Sequence, residues 1–150
     1  MTQKNTGRIN LKFETSDTSQ VSEIETLEFH PRILLAFDRS NPIPSINEGT
    51  YYLPRVPNHP SFDSFIYDAP SSRVTVFQVT DAVKHGVNPK GLRGLREITQ
   101  RLNIDISEIR FVIVTSEEST VTCSVRKTVY NEFNLKMCFL EMTEGDLYNE

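Results

Sequence analysis

The chain has 150 residues, 37% of them hydrophobic and 24% charged, with a formal net charge of −4. That length carries a core of its own, so neither disulfide staples nor intrinsic disorder is needed to account for it. The acidic balance excludes a globally basic nucleic-acid binder, and any such contact would need a local basic patch. Cys123 and Cys138 are the only cysteines, too few for a zinc module or a disulfide framework, and both read as reduced packing residues. No apolar run approaches a membrane span, and residues 1–14 lack the apolar core of a signal peptide, so a cytoplasmic or nuclear protein is expected.

Residues 1–7 are polar and read as a frayed end. Ile9, Leu11 and Phe13 alternate with Asn10, Lys12 and Glu14, the period of a half-buried strand. Residues 15–22 are rich in Ser, Thr, Asp and Gln and read as a loop, followed by a weakly patterned strand over 23–29. Residues 32–37 form a short continuous apolar run between Pro31 and Asp38, the mark of a buried strand. Residues 40–61 form a proline-rich loop with prolines at 42, 44, 54, 57 and 60, which excludes helix and argues against a central strand. Tyr51, Tyr52 and Leu53 should pin this loop to the body, with a mobile tip at 45–49.

Residues 62–67 and 74–79 alternate as two strands joined by a tight turn, with apolar side chains on both faces as in a sheet covered on both sides. Asn88-Pro89 is a helix opening, Asn as the cap and Pro in the first turn. Leu92, Leu95, Ile98 and Leu102 follow at helical spacing. Residues 109–114 read as a buried strand. Residues 116–131 are ambiguous: 120–125 looks β-like, and 127–133 fits a helical turn. Residues 135–142 alternate as a last strand, and 143–150 form an acidic, frayed tail. The sum is a single α/β domain, a mixed twisted sheet with one crossover helix, at about 89–102, between the 74–79 and 109–114 strands.

Lys84, His85, Lys90, Arg93, Arg96 and Arg101 form the one basic concentration, at and along that helix. A helix N-terminus with Lys and Arg suits phosphate, and a solvated helix face is the competing reading. His59, Asp63 and His85 would make a transition-metal site if their loops converge. Asp63 reads either as a metal ligand or as an acid accepting backbone hydrogen bonds. Gln78 reads either as a ligand or as a satisfied polar residue of a strand. A glycine-rich phosphate loop, a G-x-S-x-G elbow and an H-E-x-x-H helix are all missing, so kinase, α/β-hydrolase and zincin readings fall away.

The run 49–91, with GTYYLP, HPSFDSFIYD and VTVFQVTDAVKHGVNPKG in it, resembles the C-terminal domains of Crinkler effectors and of retrotransposon-hot-spot-type proteins. Residues 51–54 are similar to that family's tyrosine-proline loop and 63–65 to its Asp-Ser-Phe strand. Residues 77–80 match its Phe-Gln-x-Thr strand and 84–92 its Lys/His-Pro-x-Lys-Gly-Leu helix opening. The resemblance covers residues 48–115, with 135–142 in weaker support. It implies a restriction-endonuclease-like core of the PD-(D/E)XK type, in which a helix supplies a Glu, one strand an Asp and the next strand Glu-x-Lys or Gln-x-Lys. In that chemistry carboxylates hold Mg²⁺, the ion activates water, and the Lys steadies developing charge.

By this resemblance Asp63 takes the strand-acid and metal-ligand position, and Gln78 and Thr80 take the two catalytic places of the E-x-K element. The chain departs from the pattern: Gln78 brings no charge, Thr80 stands where the cation belongs, and no upstream helix offers the Glu. Glu14, Glu28 and Glu48 are candidates that spacing does not rank. The resemblance therefore implies a degenerate nuclease-like domain that binds nucleic acid, with weak or no Mg²⁺-dependent cleavage. The alternative is a non-enzymatic protein-interaction or effector module that reuses the fold, including a homodimer formed through an exposed strand.

Overall fold

The computed structural model describes residues 7–13, 24–29, 32–56, 59, 61–80, 84–116 and 122–142; in 7–13, 24–29, 84–85, 122–124 and 141–142 it describes the backbone alone. In chain order these residues form strands β1 (Gly7–Phe13), β2 (Ile24–Phe29), β3 (Ile33–Phe37), β4 (Thr50–Pro54), β5 (Ser64–Asp68), β6 (Arg73–Val79) and β7 (Lys84–Gly86). Helix α1 (Pro89–Arg101), strands β8 (Glu108–Ser116) and β9 (Thr122–Ser124), helix α2 (Lys127–Phe133) and strand β10 (Leu135–Met142) complete the order. Eight strands make one mixed sheet in the order β2-β1-β10-β8-β6-β5-β4-β3, and β7 pairs with β9 in a separate parallel ribbon.

The centre is built from three parallel strands. β6 pairs with β8, and β8 with β10, in registers that place Val76, Phe111 and Met137 in one row. Parallel neighbours need a long crossover, and α1 and α2 lie in the two connections, β6 to β8 and β8 to β10. The crossover helix expected at about 89–102 is therefore present, and a second, shorter one accompanies it. At the amino ends of these strands Arg73 and Lys136 both reach Glu108, at 3.5 and 3.3 Å.

Alternation divides the core. Tyr52, Phe65, Val76, Phe111 and Met137 point to one face and pack with Leu92 and Leu95 of α1 and Val129 and Phe133 of α2. Val112, Cys138 and Leu140 form a second cluster on the other face, with Phe77 and Val114 against it. Both faces of β8 and β10 are thus buried, as the apolar runs require, while both described helices lie on one face.

Helix α1 begins as its sequence dictates. Asn88 is extended and its side chain accepts from the Lys90 amide at 3.0 Å, with Pro89 in the first turn. The helix closes at Asn103, which takes a left-handed φ of 55° and lets the Ile104 amide bond back to Thr99 O at 2.8 Å. Asn134 ends α2 in the same way, at φ 46°, and its side-chain amide donates to Ser107 O at 2.7 Å, docking the turn on the start of β8.

Three expectations are corrected. The proline-rich loop contains a strand, β4, next to the last of the sheet, in which Tyr52 is fully buried. Residues 45–53 hold no proline, and Pro54 sits at the last strand position, where the missing amide costs little. The 45–49 tip is tied down: Ile46 is buried, the Asn47 amide donates to the Tyr52 hydroxyl at 2.9 Å, and that hydroxyl donates to Ser45 O at 3.1 Å. The apolar run at 32–37 is not a buried strand. It forms the edge strand β3, with Ile33 75% and Leu34 62% exposed, because burial depends on what lies alongside and not on the run itself. The weak strand at 23–29 and the β-like 120–125 segment correspond to β2 and β9. The proposed frayed ends and the 15–22 loop lie outside the described residues, apart from Gly7 in β1.

The two glycines of α1 make opposite predictions. At Gly91 a β-carbon would overlap Ser61 and stand 2.9 Å from His59 Cε1, whereas at Gly94 nothing lies within 4 Å. Gly91→Ala is expected to destabilise the chain by about 1–3 kcal/mol through overpacking. Gly94→Ala is expected to stabilise it by about 0.5–1 kcal/mol by removing helix-interior glycine. Denaturant midpoints of the two variants and the parent check both signs.

Candidate functional site

Asp63, Gln78 and Thr80 come together at the carboxyl end of β6, where the chain leaves toward β7 and α1. β5 runs antiparallel to β6 with Ser64 opposite Phe77, and the Asp63 amide donates to Phe77 O at 2.8 Å. This register brings Asp63 alongside Gln78 and Val79. Gln78 and Thr80 fall, by alternation from Val76, on the helix-bearing side.

Asp63 is exposed, and its carboxylate has a backbone task. Oδ2 accepts from the Val79 amide at 2.8 Å and from Gln78 Nε2 at a long 3.4 Å. A carboxylate thus replaces a ladder carbonyl and completes the pairing of the last β6 residue. Of the two readings of Asp63, this geometry supplies the acid that accepts a backbone hydrogen bond. Gln78 is half-buried, its amide shared between Asp63 and Val79 O. The Thr80 amide continues the ladder onto β8, donating to Val114 O at 3.0 Å.

The donor set among the described residues is small for Mg²⁺. A hard, octahedral cation needs charge and several oxygens, and among the described residues Asp63 is the one carboxylate beside Gln78, with one of its oxygens already bonded to an amide. Among the described residues no three His, Cys, Asp or Glu side chains gather. Glu48 cannot complete the set: its carboxylate accepts from the Ala69 amide at 2.8 Å, six residues along the chain from Asp63 and thus about 20 Å away in an extended strand. Glu28 lies on β2, four strands across from β6, roughly 19 Å by strand spacing. Glu14 lies outside the described residues. Of the proposed His59, Asp63 and His85 trio, His85 is described by its backbone alone in β7.

His59 faces the protein. Its Nδ1 accepts from the Ser61 and Phe62 amides, both at 3.4 Å, and its ring packs on Phe62 with centroids 4.4 Å apart. Burial holds its pKa below the ordinary histidine value, against the pull of Asp63. Ser61, which sequence reasoning passed over, is the buried link beside it. Its hydroxyl donates to Asn88 O and accepts from the Gly91 amide at 2.9 Å. Lys90 N is held by Asn88 and Pro89 lacks an amide. Two amides of the expected phosphate seat, those of Lys90 and Gly91, are thus engaged by the protein's own oxygens.

Most of the helix's basic side chains are also committed. Arg93 donates to Glu132 on α2 at 3.1 and 3.4 Å, and Arg96 reaches the same carboxylate at 3.1 Å while lying 4.9 Å over the Phe133 ring. The hydrogen bond from Arg93 leads in holding the Glu132 carboxyl below its usual range, and the same bond raises Arg93. Arg101 donates to Ile43 O at 3.3 Å, clamping the proline-rich segment. Lys90 is exposed, and Lys84 stands on β7, where only the backbone is described. A cavity of about 480 Å³ opens between α1 and the proline-rich segment, walled by Phe37, Ile43, Phe62, Leu95 and Ile98 with Lys90 on its lining.

Comparison of the chain with protein-family models, curated proteins and solved structures returns no match. Among the described residues no helix is long and apolar enough to cross a membrane.

The lowered pKa of His59 gives a pH prediction. A histidine whose folded pKa lies below the unfolded value contributes stability that is full above about pH 6.5. That contribution is lost as pH falls through the lowered folded value, because the unfolded chain takes up the proton first. His59→Asn keeps an acceptor for the two amides but cannot titrate. Its unfolding free energy is expected to fall less than the parent's between about pH 7.5 and pH 5.5, measured by denaturant titration at each pH.

Proposed function

We propose that this chain is a restriction-endonuclease-like domain that has given up metal-dependent cleavage and acts as a protein-interaction module, with β3 as its docking strand. The apolar open edge carries the reading. β3 ends the described sheet with Ile33 and Leu34 in solvent, where folded proteins ordinarily place a charge, a proline or a cover. The nuclease-like ancestry is supported by chain order: the antiparallel run β4-β5-β6, the crossover α1 and the parallel β8, with Asp63 beside Gln78. The loss of cleavage is supported by the donor set, one carboxylate bonded to the Val79 amide. Fold alone assigns no activity, so the weight rests on these side chains.

Nucleic-acid binding is the second reading. It is favoured by the exposed Lys90 and by β7, which carries Lys84 and His85, at the same end of the sheet as Asp63. Its electrostatic reach is cut by the internal use of Arg93, Arg96 and Arg101.

Incubation with duplex and single-stranded DNA in Mg²⁺ or Mn²⁺ is expected to show no cleavage above background, with Asp63→Ala indistinguishable from the parent. Metal-dependent cleavage that disappears in the variant would contradict the proposal. Nucleic-acid affinity that falls steeply with added salt would favour the second reading.

A further inference from the structure

We infer that the partner docked on β3 is a second copy of the chain, paired antiparallel about a two-fold axis at Leu35, so that the two eight-stranded sheets become one. The inference rests on the interaction-module reading and adds to it the partner and the register.

The backbone fixes the phase. In β3 the Ile33 amide donates inward to Gly49 O at 2.8 Å, and Phe37 O accepts inward from the Arg55 amide at 2.8 Å. Odd-numbered residues of β3 therefore turn their amides and carbonyls toward β4, in the parallel register Ile33–Thr50 to Phe37–Pro54. Leu34 and Ala36 turn theirs to the open edge. A self-pairing must match these outward groups with one another. A two-fold at Leu35 does so: Leu34 of one copy and Ala36 of the other exchange both backbone hydrogen bonds, twice over. Such an interface is isologous, each contact occurring in duplicate.

Other even registers meet the same backbone condition, and the side chains choose among them. Centred on Leu35, the pairing sets Arg32 opposite Asp38 of the second copy at both ends, Ile33 opposite Phe37, and the exposed Leu34 opposite the small Ala36. Centred on Leu34 it would set Arg32 opposite Ala36 and only His30 opposite Asp38, and centred on Ala36 it would set Arg32 opposite Ser40 and Asp38 opposite Leu34, so neither register pairs the two charges with each other. Arg32 already donates to Glu48 O with Glu48 and Asp68 nearby, and Asp38 Oδ1 accepts from the Asn41 amide at 2.7 Å. The cross-copy pair thus adds to side chains that are held in place and not newly ordered. Opposite charges facing across strands support a register, and like charges oppose it.

The test is sedimentation velocity of the full chain over about 5–500 µM, with circular dichroism to confirm folding. The parent is expected to pass from monomer to dimer with concentration. Leu34→Lys, a change at a solvent-facing position, is expected to weaken dimerisation tenfold or more. Arg32→Asp and Asp38→Arg are each expected to do the same by facing like charges, and the double variant is expected to recover. A parent that stays monomeric, a dimer indifferent to Leu34→Lys, or a double variant that does not recover would overturn the inference. A monomer that cleaves no DNA leaves the interaction-module reading standing without this partner, whereas metal-dependent cleavage removes that reading whatever the oligomeric state.

Discussion

A single buried hydroxyl couples the parts on which the candidate site depends. Ser61 Oγ bridges Asn88 O and the Gly91 amide, fastening the segment before β5 to the first turn of α1. The bridge requires the helix backbone to come close, which is why position 91 has no side chain. Two residues after Ser61 the Asp63 amide donates to Phe77 O at 2.8 Å, which sets the carboxylate beside the Val79 amide. The Ser61 bridge occupies the Gly91 amide at the helix start. Buried polar groups must be paired, and here pairing and function compete for the same atoms.

The same competition runs through the charges. Arg93 and Arg96 share Glu132, which ties α1 to α2 across the crossover layer, and Arg101 holds Ile43. The two contacts to Glu132 are surface ion pairs of small individual worth and the third is a hydrogen bond to a backbone carbonyl, but each cation so engaged is less available to a phosphate. The Asp63 carboxylate completes a strand ladder. Beside these engaged charges, the described sheet ends in an edge strand with Ile33 and Leu34 exposed at its start, and the proposed pairing along that edge would give its outward backbone groups partners.

Much of the scaffold was legible in sequence, for local reasons. The alternation in residues 74–79 and 135–142, the apolar run at 109–114 and the Asn88-Pro89 opening each reflect a period or a cap a few residues long. Strand β4 was hidden because prolines on both sides masked a proline-free stretch. The apolar run at 32–37 misled because it cannot distinguish a strand with two neighbours from one at an edge. The site was least legible. Ser61 meets its partners 27 and 30 residues away, and Arg93 and Arg96 meet Glu132 at 39 and 36. A basic cluster looks the same whether its answering carboxylate lies across a helix interface or on a ligand.

We propose that Asp63 serves as a structural acceptor rather than a metal ligand, and its own hydrogen-bond partner, the Val79 amide, reports on this most directly. The backbone amide resonances of Gln78, Val79 and Thr80 should be followed by NMR while Mg²⁺ is raised to about 10 mM at constant ionic strength. They are expected to stay in place, because the Val79 amide keeps its carboxylate. A saturable displacement centred on Val79, lost in Asp63→Asn, would mean that the carboxylate leaves the ladder for the ion and would contradict the assignment.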